Sequence, residues 1–139
     1  MDGFDFGKLF SFDGRIGRKT FWQLALMMFA VNLVIYIPFF LSDSLQLVVS
    51  LVAIVVYLVV AVAGLATTVK RLHDRGKSGW FYFVSLIPLI GPIWLLVEVG
   101  FVEGQPGENR YGAPGSGSPF AGDAMPATYA ATAPSWNGQ

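Results

Sequence analysis

The chain has 139 residues, 54% hydrophobic and 13% charged, with a mean hydropathy of +0.57. A soluble domain carries about 25% charged residues, so a chain this small and this poor in charge lacks the groups to cover a water-facing surface, which argues against a soluble monomeric enzyme. The formal net charge is zero, cysteine is absent and His73 is the single histidine, which excludes disulfides, thiolate metal sites, thiol catalysis and a multi-histidine metal site within one chain.

The first twenty residues combine Phe4, Phe6, Phe10 and Phe12 with Lys8, Arg15, Arg18 and Lys19. Aromatic side chains among cations suit the boundary between lipid and water. Residues 1–20 therefore read as a basic and aromatic cytoplasmic segment.

Three apolar stretches follow. Phe21 to Leu41 gives 21 uncharged residues, Leu45 to Val69 gives 25, and Trp80 to Val102 gives 23 with Glu98 as the one charge. A helix needs roughly 17–25 apolar residues to cross about 30 Å of hydrocarbon. None of the three shows the polar residues at every third or fourth position that mark an amphipathic core helix. The first stretch is too long for a signal-peptide core and is not followed by a small-residue cleavage site. The expected fold is all-α, an integral membrane protein with three transmembrane helices spread over residues 21–112. Small residues at Ala63/Thr67 and Gly64/Thr68 lie four apart on one face of the second span and suit close helix packing.

Pro88, Gly91 and Pro92 interrupt the third stretch. Each proline removes a helix donor and clashes with the preceding turn, so the third helix is expected to be kinked or broken at Pro88–Pro92. Halves of about ten residues are too short to cross alone, so one broken span is preferred over a re-entrant hairpin.

Lysine and arginine near a span stay on the cytoplasmic side. The N-terminal segment and the loop with Lys70, Arg71, Arg75 and Lys77 are cationic, whereas Ser42-Asp43-Ser44 is not. The expected topology puts the N-terminus inside and, with three crossings, the C-terminus outside. Eight cations and four anions (Asp2, Asp5, Asp13, Asp74) then face the cytoplasm. Asp43, Glu103, Glu108 and Asp123 face outward with Arg110. On this reading the turn after the third span cannot touch the loop at Lys70–Lys77.

The densest polar constellation is Val69 to Trp80 (VKRLHDRGKSGW). Arg71 and Asp74, three apart, suit an ion pair. His73 and Asp74 are adjacent and point about 100° apart on a helix, so they form no acid–base pair by spacing alone. No catalytic triad, phosphate loop, paired carboxylates or metal set is visible, and neither catalysis nor a cofactor is expected. Arg15, Arg18, Lys19, Lys70, Arg71, Arg75 and Lys77 are the candidate contacts to anionic lipid head groups or a partner. His73, Asp74, Glu98, Asn109 and Arg110 are candidate polar functional residues; an ionisable group inside a membrane is a functional candidate by default. A second copy of the chain or another membrane protein is the other expected partner, and nucleic acid is not. Residues 113–139 hold 20 Gly, Ala, Pro, Ser or Thr among 27 and read as a disordered tail.

Four motifs in order, Phe10 to Trp22 (FSFDGRIGRKTFW), Lys70 to Trp80 (KRLHDRGKSGW), Leu86 to Gly91 (LIPLIG) and Gly104 to Gly112 (GQPGENRYG), resemble the domain-of-unknown-function 805 family of small bacterial inner-membrane proteins, over about residues 8–114. The resemblance implies a bacterial integral membrane protein and supplies no activity. Two function classes stay open at this stage: a structural or interaction component with a basic cytoplasmic face, and a small oligomeric transporter or channel subunit using the broken third helix and Glu98.

Overall fold

A computed structural model describes residues 3–41 and 43–123. Among these the ordered elements are all helical. Helix α1 is Phe6–Phe10, α2 is Arg18–Leu41, α3 is Gln46–Asp74 and α4 is Ile90–Gly100. Short 3-10 helices lie at Asp43–Leu45, Gly79–Leu86 and Ala121–Asp123.

Helices α2 and α3 form an antiparallel pair joined at Asp43–Leu45. Two helical stretches, Arg18–Pro38 and Asp43–Asp74, are long and apolar enough to cross a membrane. Their outer faces are apolar: Leu26, Val34, Leu47, Val55 and Leu58 are all more than half exposed. Such a belt would be costly in water and is what hydrocarbon solvates. The expected small-residue face of α3 is turned inward. Ala63 and Thr67 are buried, and a side chain at Gly64 would meet Met28 Sδ of α2 at 3.8 Å.

Helix α3 runs 29 residues, about 44 Å at 1.5 Å each, which exceeds the hydrocarbon thickness of about 30 Å. Its uncharged run ends at Val69. The last turns carry Lys70, Arg71, Leu72, His73 and Asp74, all buried, whereas most of the helix before Ala63 is exposed or half-exposed. Helix α3 therefore leaves the apolar layer and enters a polar cap made of residues 3–17 and 101–123.

The third apolar stretch differs from the expected span. Its first leg, Gly79–Leu86, is a 3-10 helix of 8 residues, and its second, α4, has 11. Each is about 16 Å long, roughly half a bilayer. They meet at Leu89, the one non-glycine residue with positive φ among the described residues. There Ile90 N donates to Pro88 O at 2.8 Å, a strained three-residue turn. A side chain at Gly91 would collide with the Val84 carbonyl, so the legs touch where the glycine allows it.

The outer ends of the two legs return to the same end of the α2–α3 pair. Gly79 packs against Val69, and Trp22 Nε1 donates to Gly100 O at 2.8 Å. Leu72, Leu95 and Val99, with Phe21, Tyr82 and Trp94 around them, form the core that holds the hairpin there. The break at Pro88–Pro92 is present; two successive helix breakers turn the chain back instead of bending one helix.

Two expectations are corrected as a result. The segment after the hairpin does touch the loop at Lys70–Lys77: Gln105 N donates to Asp74 O at 2.8 Å. Residues 113–123 are packed, with Ser118 and Pro119 buried and Asp5 N donating to Pro119 O at 2.7 Å. Small residues let this segment approach the N-terminal stretch closely, so its low apolar content does not prevent packing. The remaining tail, 124–139, lies outside the described residues.

Candidate functional site

Asp74 is the hub of the polar cap. Its Oδ1 accepts from Arg15 Nε at 3.1 Å and its Oδ2 from Arg71 Nη1 at 2.6 Å. Arg15 and Arg71 are 0% exposed. Two cations face one carboxylate, and backbone carbonyls satisfy the other donors. Arg15 Nη1 donates to Gly107 O at 2.5 Å and Gly112 O at 3.1 Å, and its Nη2 to Gln105 O at 2.5 Å. Arg71 Nε donates to Val99 O at 2.7 Å, and its Nη2 to Val102 O. Arg15 thus ties the N-terminal segment to the glycine-rich turn, and Arg71 ties α3 to the end of the hairpin. Gly104 lies against the Asp74 carboxylate, where a side chain would collide.

Lys70, also 0% exposed, donates through Nζ to the carbonyls of Lys8 and, at 3.0 Å, Gly117. It has no carboxylate partner among the described residues. Burial, with the charge of Lys8 adding to it, lowers its pKa to about 8. His73 lies past the apolar run, at the end of α3. Its Nδ1 is 3.1 Å from Gly14 O, so Nδ1 carries the proton. Its ring stacks on Tyr111 at 3.8 Å and 3°, and the Arg110 guanidinium lies over the Tyr111 ring, 4.8 Å from its centroid. Burial pushes the His73 pKa down, against the Gly14 hydrogen bond and the charge of Asp13; Arg110 pushes the same way as burial. Asn109 Nδ2 donates to His73 O and Gln105 Oε1, both at 2.9 Å.

Glu98 lies where α4 re-enters the cap. Its Oε1 accepts from Arg75 Nε at 2.8 Å and Lys77 Nζ at 2.7 Å. Every buried side-chain N or O atom among the described residues has a partner, and no group of three potential metal ligands is found among them.

The predicted lipid-contact residues split into two groups. Arg15, Lys70 and Arg71 are internal and cannot reach a head group, which corrects their assignment; desolvated cations in this cap are held by carbonyls. Arg18 and Lys19 are exposed, and Arg75 and Lys77 are partly so. These four share a cleft of about 890 Å³ with Thr20, Gln105, Asp74, Glu103 and Asp123. Of the polar candidates, His73, Asp74, Asn109 and Arg110 converge in one cluster, and Glu98 joins it through Arg75. Sequence reasoning missed Tyr111, Gln105 and Asp123, whose Oδ2 accepts from Thr20 Oγ1 at 2.5 Å and Ser118 Oγ at 2.7 Å. The signal available for the first two was the glycine spacing of residues 104–112, which permits close backbone approach.

The family model described as protein of unknown function (DUF805) matches residues 9–113. The chain is 32% identical over 128 residues to the uncharacterized protein YiiR of Escherichia coli K12, covering 75% of this chain and 85% of that one. It is 36% identical over 103 residues to the inner membrane protein YhaI of the same organism, covering 73% and 82%. With the inner membrane protein YhaH it shares 32% over 111 residues, covering 73% and 84%. No solved structure matches the chain.

Proposed function

The chain belongs to the DUF805 family, two of whose matched relatives carry inner-membrane names, and from that premise we propose that it is a multi-pass inner-membrane protein with both described ends in the cytoplasm. Helices α2 and α3 cross the bilayer. Residues 79–100 enter from the cytoplasmic side and return to it. The polar cap stands in the cytoplasm as a non-enzymatic interaction surface for anionic lipid or a partner protein.

One observation carries this reading. All nine lysines and arginines lie at the cap end, and Asp43 is the one charged residue at the other end among the described residues. Cations next to short spans are retained on the cytoplasmic side. Folding residues 103–123 back to the cap brings Arg110 to the same side as the other eight.

The non-enzymatic part is supported by how the polar groups are occupied. Asp74 is held by two arginines, one on each oxygen, which does not leave it as a free general base, and His73, fixed by Gly14 and Tyr111, has no carboxylate paired to its ring among the described residues. Glu98, the residue on which a transport reading depended, is bound by Arg75 and Lys77 at the cap edge.

Fluorescent reporters that mature only in the cytoplasm, fused at residue 1 or residue 139, test the topology; both should fluoresce, and a dark C-terminal fusion contradicts it. A His73→Gln chain should complement a deletion strain. Lost complementation at normal membrane levels would instead assign chemistry to His73.

A further inference from the structure

Once the internal cations are set aside, four of the six left on the cap, Arg18, Lys19, Arg75 and Lys77, line one cleft, and Lys8 and Arg110 lie away from it. Arg15, Lys70 and Arg71 are sealed, and Arg75 and Lys77 share Glu98. Arg18 and Lys19 form no ion pair among the described residues, and both line the cleft of about 890 Å³, a size that suits a small-molecule ligand. The cleft also has carboxylates, which are already committed or peripheral. Asp74 is taken by Arg15 and Arg71, and Asp123 by the Thr20 and Ser118 hydroxyls. Glu103 is exposed.

The position of the cleft narrows the ligand class. Trp22 follows Arg18 by four residues and so shares its helix face. Arg18 Nη1 donates to Phe101 O at 3.1 Å, and the Phe101 and Trp22 rings meet at 5.7 Å. Both rings are well exposed. An aromatic pair of this kind, with a tethered indole N–H, marks the boundary between head groups and hydrocarbon. The cationic cleft therefore stands directly over an apolar, bilayer-facing edge. Arg supplies a planar fork suited to phosphate oxygens, and Lys a point charge beside it.

We propose that this cleft is a binding site for the phosphate of an anionic membrane phospholipid, with Arg18 and Lys19 as its principal contacts, Arg75 and Lys77 bordering it, and the acyl chains running past Trp22 and Phe101. The inference rests on the cytoplasmic placement of the cap, which the reporter fusions test independently.

The test is native mass spectrometry of the full chain released from nanodiscs containing phosphatidylglycerol or phosphatidylcholine. The wild-type protein should retain phosphatidylglycerol preferentially. Arg18→Gln with Lys19→Gln should weaken that retention by about 30-fold, taking about a factor of five for each interfacial cation. Lys8→Gln with Arg110→Gln removes the same charge away from the cleft and should leave retention within about twofold. Equal loss in both double variants means diffuse attraction and overturns the site. Equal retention of the two lipids by wild type overturns it as well. Displacement of the lipid by millimolar inorganic phosphate would assign the cleft to a free anion and overturn the lipid proposal. Circular dichroism of the Arg18/Lys19 variant checks that its helices persist; both residues are exposed, and their replacement leaves no buried charge unpaired.

Discussion

Arg15 and Asp74, 59 residues apart in the chain, are joined by a hydrogen bond of 3.1 Å and an ion pair of 3.0 Å, with the arginine fully buried. Arg71 reaches the other oxygen of the same carboxylate. This pairing converts the end of α3 into an anchor for three separate segments: the N-terminal stretch, the hairpin exit and the glycine-rich turn.

Removing the carboxylate would strand two desolvated guanidinium groups. Breaking a buried pair from one side typically costs about 3–5 kcal/mol. Asp74→Asn should therefore lower the thermal unfolding midpoint in detergent substantially. Glu108→Gln, at an exposed position, should change stability by no more than about 0.5 kcal/mol. Matching midpoints for the two variants would show that Asp74 does not hold the cap.

The hairpin depends on a glycine contact. Gly91→Ala would push a methyl group into the Val84 carbonyl, so the two legs must separate. Resistance to thermal unfolding in detergent should fall by several degrees. Gly17→Ala, where a side chain meets nothing within 4 Å, should behave as wild type. A Gly91→Ala variant as resistant as wild type would rule out the close crossing.

Lys70 links the N-terminal segment to residues 113–123 through two carbonyls. Lys70→Met keeps the volume and removes both bonds. Amide exchange should rise at Gly117 and Asp5, whose N–H groups are bonded to Arg15 O and Pro119 O. Unchanged protection at both sites would show that the lysine is not the tie.

His73 gives the cap a pH dependence of definite sign. Its folded pKa lies below its unfolded value of about 6.5 because burial disfavours the imidazolium. The unfolded chain then binds more protons in that window, so stability is complete above about pH 6.5 and is lost as pH falls through the window. Unfolding midpoints between pH 7.5 and 5 should fall more for wild type than for His73→Gln. Parallel curves would remove His73 as the cause.

The two helices long and apolar enough to cross a membrane were legible in the sequence because lipid demands a length and a composition, and Phe21 to Leu41 and Leu45 to Val69 supply both. The Arg71–Asp74 pair was legible from its spacing. The return of the third stretch was not. Pro88, Gly91 and Pro92 mark a break, but their positions do not say whether the chain bends or reverses, and Arg110 alone is a weak orientation signal against a 23-residue apolar run. The burial of Arg15, Lys70 and Arg71 was also hidden. Their partners are largely carbonyls of Val99, Val102, Gln105, Gly107, Gly112 and Gly117. A carbonyl acceptor leaves no trace in residue type, so a cation held this way looks in sequence like one facing lipid.

Everything proposed for the cap requires residues 101–123 to return to the side of the bilayer that holds Lys70 to Lys77. The chain has no native cysteine, so single-cysteine labelling reads this directly. In intact cells, a membrane-impermeant maleimide should label Asp43→Cys and leave Glu108→Cys unlabelled until the membrane is permeabilised. Labelling of Glu108→Cys in intact cells would place the cap's third segment across the bilayer and refute the return of the chain.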